Sequence, residues 1–220
     1  MMNGKSDLNR RFRQWLRAIF PGHTQSRSRV DSGCKHYEIA RCKRRPKSPM
    51  TRSPRRVLFV CLGNICRSPA AENILRHQAR IAGCVDEFEI DSAGTIGHQR
   101  GSPPDLRMSE ALRRRGFKSE GQARQIEAAD LRRFDLIVTM DEANLADVRR
   151  LDASGKLHGK IRSFVSFCRH HQDARVPDPY YGGELGFQHV IGLLEDGCRG
   201  ILEFLQVGVR HQEMTSSEPR

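Results

Sequence analysis

Runs of apolar residues alternate with stretches of helical spacing over most of the chain. Residues 57–60 form an unbroken apolar run, which is typical of a strand buried on both faces. Further runs predict strands at 88–92, 136–140 and 160–164. Between and after these runs, apolar residues recur every three or four positions, which predicts helices from about residue 70 onward and at 105–115, 141–151 and 187–205.

Strands that are separated by helices favour a parallel sheet with helices on both faces. We therefore predict a three-layer α/β fold whose middle layer is a four-stranded parallel sheet. Ligand sites in such folds lie at the carboxyl ends of strands. The loop that follows the first strand, beginning at Cys61, is the place to look for a site.

Helical spacing also occurs near the amino terminus, where apolar residues in 8–20 alternate with arginines. Residues 23–56 are rich in Ser, Arg and Lys and poor in apolar residues, which is typical of disorder. We therefore expect a basic, mostly disordered extension at 1–54 with an amphipathic helix at 8–20, a folded domain at 55–207 and a disordered tail at 208–220. A translation start at Met50 would remove most of the extension.

The basic character of the chain belongs to this extension. Residues 1–56 hold 16 of the 38 Lys and Arg but 3 of the 26 Asp and Glu, a net charge of +13, whereas residues 57–220 have a net charge of −1. We expect no nucleic-acid partner, and a weak contact of the extension with an anionic membrane surface. The seven cysteines show no metal-ligand spacing, so we expect no metal. An odd number of cysteines favours a reducing, cytoplasmic location.

The loop after the first strand has the composition of an oxyanion site. A loop that wraps in front of a helix directs backbone N–H groups inward, and the helix dipole adds positive potential. Gly63 and Asn64 tolerate the left-handed backbone that such a loop requires. Arg67 can hold two oxygens of a tetrahedral anion. The positive potential favours the thiolate form of Cys61, which would be a nucleophile directed at phosphorus. Ser68 is expected at the helix N-cap.

Two motifs resemble those of a known family. The segment Cys-Leu-Gly-Asn-Ile-Cys-Arg-Ser-Pro at 61–69 resembles the signature of the low-molecular-weight protein-tyrosine phosphatases, and Asp-Pro-Tyr-Tyr-Gly-Gly at 178–183 is similar to their general-acid loop. The resemblance spans roughly residues 56–205. It implies a protein-tyrosine phosphatase that works without a cofactor through a phosphocysteine intermediate. The implied substrate is a tyrosine-phosphorylated protein, in bacteria a tyrosine kinase by analogy.

The resemblance also assigns roles to residues. Cys61 is the expected nucleophile, Arg67 binds the phosphoryl group, and Asp178 is the general acid and base. Ser68 is expected to hydrogen-bond the sulfur of Cys61, and Cys66 to trap an oxidised Cys61 as a disulfide. The expected substrate-binding residues are those of the loop and the aromatic walls: Leu62, Gly63, Asn64, Ile65, Cys66, Ser68, Tyr180, Tyr181 and His98.

Two positions depart from the family pattern and bear on substrate preference. His98 stands where relatives often have an aromatic residue, and Gly121 stands where they often have His. Three alternative functions remain open. An arsenate reductase of the same fold would need further cysteines at 140–144, but this segment contains none. A non-catalytic phosphotyrosine-binding module would normally have lost one of the three catalytic residues, and all three are present. A protein-arginine phosphatase would carry Thr in place of Ile65.

Overall fold

A computed structural model describes residues 55–215 of the 220-residue chain, with side chains described up to residue 206. The predicted extension at 1–54 and its helix at 8–20 lie outside the described residues. Among the helices of residues 55–215, none is both long and apolar enough to span a bilayer.

The middle layer is a four-stranded parallel sheet, as the sequence predicts. Its strands are β1 (Arg55–Cys61), β2 (Phe88–Gly94), β3 (Leu136–Thr139) and β4 (Ile161–Ser163). They lie in the order β2-β1-β3-β4. Cys61 pairs with Gly94 on one side, and Val60 pairs with Thr139 on the other. The carboxyl ends of three strands therefore meet at the point where the loop begins.

Helices connect the strands. Within residues 55–215 the α-helices are α1 (Arg67–Ile81), α2 (Leu106–Arg114), α3 (Ala128–Arg133), α4 (Glu142–Arg150) and α5 (Glu184–Thr215). Short 3-10 turns lie at Val85–Glu87, His158–Lys160 and Phe164–Phe167. The sequence pattern did not predict α3, which is only six residues long.

The sheet separates two apolar clusters, because successive side chains of a strand point to opposite faces. Val57 and Phe59 of β1 belong to the larger cluster, which contains the inner faces of α1, α2 and α5. Leu58 and Val60 belong to the smaller one, with residues of α3 and α4. These two clusters confirm the predicted three-layer arrangement and place β1 in the interior of the domain that the structure describes.

The last helix extends beyond its predicted bounds in both directions. It begins at Glu184 rather than at residue 187, and its backbone is helical to Thr215, although a disordered tail was expected from residue 208. Apolar spacing marks only the part of a helix that packs against the core. The residues after Leu205 include Gly208, which weakens a helix, but no proline before Pro219, so the backbone can continue as a helix.

Candidate active site

The loop between β1 and α1 turns at Asn64, whose φ of 57° lies in the left-handed region. The Asn64 side chain secures this turn in three directions. Its Nδ2 donates to Ser68 Oγ in α1 and to Ser92 Oγ in β2, each at 2.9 Å, and its Oδ1 accepts from the backbone N–H of Arg124 at 2.9 Å. Asn64 thus links the loop to a helix, a strand and a neighbouring segment.

The sulfur of Cys61 lies inside this turn. Cys61 is 3% exposed, and its Sγ accepts a hydrogen bond from the backbone N–H of Asn64 at 3.3 Å. Ser68 Oγ lies 3.0 Å from the same sulfur and 3.2 Å from the carbonyl oxygen of Ala93. The prediction that Ser68 is the helix N-cap is therefore wrong. The helix begins at Arg67 with Cys66 in the N-cap position, and the wrapped loop turns the Ser68 hydroxyl toward the thiol instead.

Arg67 is a buried cation with two carboxylate partners. Its Nη1 donates to Asp141 Oδ2 at 2.7 Å and to the carbonyl oxygen of Val176 at 3.2 Å. Its Nη2 donates to Asp178 Oδ2 at 2.7 Å. Burial alone would lower the pKa of Arg67, but the negative groups at Cys61, Asp178 and Asp141 raise the pKa above its ordinary value. The guanidinium is therefore charged at any physiological pH.

Asp178 and the tyrosines after it form one wall of a cavity above the sulfur. The backbone N–H of Tyr180 donates to Asp178 Oδ1 at 3.1 Å. The cavity has a volume of about 210 Å³. Its lining comes from the loop, from the segment after β2 and from the segment 178–181: Cys61, Leu62, Gly63, Ile65, Cys66, Arg67, Ile96, His98, Gln99, Asp178, Tyr180 and Tyr181.

This cavity brings together most of the residues that the sequence singled out. Cys61, Arg67 and Asp178 share it, with Tyr180 and His98 in its walls. Asn64 and Ser68 do not line the cavity; their side chains lie behind the loop and contact the sulfur or its neighbours. Gly121 does not line it either, and its φ of 120° is one that glycine adopts readily.

Cys66 is the second thiol at this cavity, and it is 4% exposed. Burial raises the pKa of the Cys66 thiol well above its usual range, and the negative charge of Asp105 raises it further. Cys66 is therefore a neutral thiol. Its expected role as a trap for an oxidised Cys61 stays a prediction.

Two groups that support the site were missed in the sequence. Asp141 lies two residues after the end of β3. One of its oxygens accepts from Arg67, while the other accepts from the backbone N–H of Asn144 at the start of α4. An acidic residue at the carboxyl end of a parallel strand is a signal that could have identified it. The second group is Glu72, which accepts a hydrogen bond from Ser92 Oγ at 2.7 Å and so fixes the hydroxyl that receives Asn64.

Glycine at position 94 is also a requirement of the site. A Cβ atom there would lie 2.7 Å from the carbonyl oxygen of Leu62 and 3.0 Å from the carbonyl carbon of Gly63. Only a residue without a side chain lets β2 approach the loop this closely.

Within residues 55–215, no group of three or more His, Cys, Asp or Glu side chains is arranged to hold a metal ion.

Comparison with known proteins decides the family. The family model described as "Low molecular weight phosphotyrosine protein phosphatase" matches residues 56–211, which is more than half of the chain. The chain belongs to this phosphatase family. The prediction of the family from the motifs at 61–69 and 178–183 is thereby confirmed.

Individual members of the family are similar over the same region. The Synechocystis protein slr0328, named as a low molecular weight protein-tyrosine-phosphatase, is 47% identical over 150 residues, which cover 68% of this chain and 96% of that protein. The Bacillus subtilis low molecular weight protein-tyrosine-phosphatase YfkJ is 42% identical over 151 residues, covering 68% of this chain and 95% of YfkJ. A crystal structure of a protein tyrosine phosphatase from Entamoeba histolytica, with Hepes in the active site, aligns with a TM-score of 0.68 at 38% identity. It covers 70% of this chain and 98% of that one.

Proposed function

We propose that this protein is a protein-tyrosine phosphatase, which hydrolyses phosphotyrosine in proteins through a phosphocysteine intermediate on Cys61. The observation that carries the proposal is the convergence of a buried sulfur, a buried guanidinium and an acid-loop carboxyl on one cavity. Membership of the family supports the same reaction.

The first step transfers the phosphoryl group to sulfur. The backbone N–H groups of 62–67 and the guanidinium of Arg67 bind the non-bridging oxygens and stabilise their charge in the transition state. The Cys61 thiolate forms the S–P bond while the bond from phosphorus to the phenolic oxygen breaks. Asp178 gives its proton to that oxygen, so a neutral phenol leaves.

The second step returns the enzyme to its starting state. Asp178, now ionised, takes a proton from a water molecule that attacks phosphorus, and the S–P bond breaks to release inorganic phosphate. The Ser68 hydroxyl, 3.0 Å from the sulfur, can donate a hydrogen bond to the departing thiolate. For Asp178 to act, Arg67 Nη2 has to exchange the Asp178 carboxylate for a phosphoryl oxygen, which directs the carboxyl to the leaving group.

The walls of the cavity support an aryl phosphate as substrate. Tyr180 and His98 line it from two different segments of the chain and can pack against the ring of a phosphotyrosine. Ile65 lines the same cavity and gives it an apolar surface at the position where protein-arginine phosphatases are expected to carry Thr. Residues 140–144 contain no cysteine, which opposes an arsenate reductase.

The proposal includes a biological setting. The substrate is a tyrosine-phosphorylated protein, with a bacterial tyrosine kinase proposed from the resemblance alone. A cytoplasmic location suits an enzyme that depends on a reduced thiol. The basic extension at 1–54 is proposed to add a weak contact with anionic membranes.

Two substitutions test the chemistry. Cys61→Ser should abolish turnover but keep binding of inorganic phosphate, since the amide groups and Arg67 remain. Turnover by Cys61→Ser within about tenfold of wild type would contradict the assignment of the nucleophile.

Purified protein should hydrolyse a phosphotyrosine peptide in preference to phosphoarginine and phosphoserine peptides of the same sequence.

Asp178→Asn tests the general acid. It should lower kcat/KM for aryl phosphates with basic leaving groups by about 10²–10⁴-fold, and much less for those with acidic leaving groups, because only a basic leaving oxygen needs a proton. An equal loss across the series would make Asp178 a structural residue of the turn.

A further inference from the structure

Arg107 lies outside the cavity, yet it contacts the loop that carries Asp178. Its Nη1 donates to the carbonyl oxygen of Tyr180 at 2.9 Å. The guanidinium also lies 5.0 Å from the centre of the Tyr180 ring and 5.2 Å from that of Phe187 in α5. Such contacts between a cation and an aromatic face are attractive. Arg107 therefore holds both the backbone and the ring of Tyr180.

Tyr180 in turn contacts the proposed general acid. The backbone N–H of Tyr180 donates to Asp178 Oδ1, while the carbonyl oxygen of the same residue accepts from Arg107. The position of the carboxyl group thus depends on a residue that Arg107 holds at its other end.

Arg107 is itself fixed to the phosphate-binding loop through Asp105. Its Nε and Nη2 donate to the two carboxylate oxygens of Asp105 at 3.1 and 2.8 Å. The hydrogen bonds from Arg107 hold the pKa of Asp105 below its ordinary value, so the pair stays ionised at neutral pH. The backbone N–H of Asp105 donates to the carbonyl oxygen of Ile65 at 2.8 Å. A continuous set of hydrogen bonds therefore runs from Ile65 through Asp105 and Arg107 to Tyr180.

Other contacts hold this loop weakly. Among the residues that the structure describes, Arg67 and Arg107 are the side chains that donate hydrogen bonds to residues 178–181 from outside the loop. The segment next to it does not pack on a closed core, since Gly182 and Gly183 border a second cavity of about 260 Å³, which Arg107 and Phe187 also line. Once Arg67 engages a phosphoryl group, Arg107 is left as the main external contact.

We propose that Arg107 is a positioning residue for the general-acid step: anchored by Asp105, it holds Tyr180 so that the Asp178 carboxyl meets the leaving oxygen. The inference rests on the proposed role of Asp178 as the general acid. It assigns to Arg107 no contact with the substrate, and the effect of Arg107 should be much larger in reactions that need the proton than in those that do not.

The test measures kcat/KM over a series of aryl phosphates whose leaving groups differ in basicity. Arg107→Ala should lower kcat/KM about tenfold or more for the most basic leaving group, and less than about twofold for the most acidic one, since a misplaced acid loses part of its 10²–10⁴-fold contribution. Arg107→Lys should recover part of the loss, because the lysine ammonium can still donate a hydrogen bond but lacks the planar guanidinium that contacts Asp105 and Tyr180 together. Asp105→Asn, which can still cap α2, should show a weaker form of the same pattern.

Two controls separate positioning from folding. Arg113→Ala removes an exposed arginine of the same helix that pairs with Glu110, and it should leave the whole series unchanged. In the Asp178→Asn background, Arg107→Ala should cause no further loss with basic leaving groups, because the group it positions is gone.

Three results would overturn the proposal. An equal loss across the series would overturn the proposal: with a lower Tm it would show that Arg107 stabilises the fold, and with an unchanged Tm that Arg107 acts on the Tyr180 wall and not on the general acid. A loss that persists in the Asp178→Asn background would show that it acts through another group. No loss at all would show that the loop holds its position without Arg107. If Asp178→Asn itself showed no dependence on the leaving group, the assignment of the general acid would fall, and the role of Arg107 with it.

Discussion

Substitution of Gly94 by Ala tests how closely the sheet must approach the phosphate-binding loop. The backbone of Gly94 is held in place next to the loop, because its N–H donates to the carbonyl oxygen of Arg124 at 2.8 Å and its carbonyl oxygen accepts from the backbone N–H of Ile126 at 2.9 Å. The new methyl group would lie 2.7 Å from the carbonyl oxygen of Leu62. Since carbon and oxygen approach each other to about 3.3 Å, the loop has to move by about 0.6 Å.

This displacement acts on the groups that bind the phosphoryl oxygens. The methyl carbon would also lie 3.1 Å from the backbone nitrogen of Asn64, so the loop amides would turn as well as shift. A misplacement of about 1 Å can cost about 10²-fold in rate. We expect kcat/KM of Gly94→Ala to fall about tenfold or more, and the free energy of unfolding to fall by about 1–3 kcal/mol through overpacking.

The assay is hydrolysis of a small aryl phosphate, with inhibition by inorganic phosphate and urea unfolding measured on the same samples. Gly186→Ala is the matched control, because a Cβ at this helical position would have no neighbour within 4 Å. It should keep full activity and unfold at equal or higher urea concentration, since Ala is favoured over Gly in a helix by about 0.5–1 kcal/mol. Gly94→Ala with kcat/KM and phosphate affinity within about twofold of wild type would refute the reasoning.

Three further substitutions or truncations have defined outcomes. Asp141→Ala should lower kcat/KM by about 10–10²-fold, and Asp141→Asn much less, because Asn keeps an acceptor for Arg67 and for the cap of α4; equal rates for the two would contradict this. After peroxide treatment and addition of a dithiol, wild type should recover activity, and Cys66→Ala should recover much less; full recovery of both would exclude the trap. Deletion of residues 1–49 should end salt-sensitive sedimentation with anionic liposomes without changing hydrolysis, and equal sedimentation of the truncated protein would exclude the extension as the anchor.

The sequence predicted those strands and helices in which buried apolar residues recur at regular spacing. The apolar run at 57–60 and the inner face of α5 are long enough for their periodicity to be read without structural information. Helix α3 is too short for such a pattern, and it is stabilised locally by the Asp130 carboxylate, which accepts from the backbone N–H of Glu127 at 2.9 Å. The ends of α5 were misplaced because its terminal turns lie outside the apolar pattern.

Residues of the site could be predicted where the chemistry is local, and could not where it depends on the register of the sheet. Cys61 and Arg67 lie in one continuous motif, and Asp178 lies in a second. By contrast, the need for Gly94 follows from its pairing with Cys61 across two strands. The N-cap position of Ser68 was wrong, whereas its hydroxyl lies 3.0 Å from the Cys61 sulfur, a contact that the family resemblance implies.

The most direct test of the account is identification of the phosphorylated intermediate. Wild-type protein is mixed with a phosphotyrosine peptide, quenched in acid within the first turnover, digested and analysed by mass spectrometry. We predict a phosphoryl group on the sulfur of Cys61, together with a burst of tyrosine peptide that equals the enzyme concentration, and neither signal in Cys61→Ser. A phosphoryl group on another residue, or turnover by Cys61→Ser at the wild-type rate, would contradict the central claim.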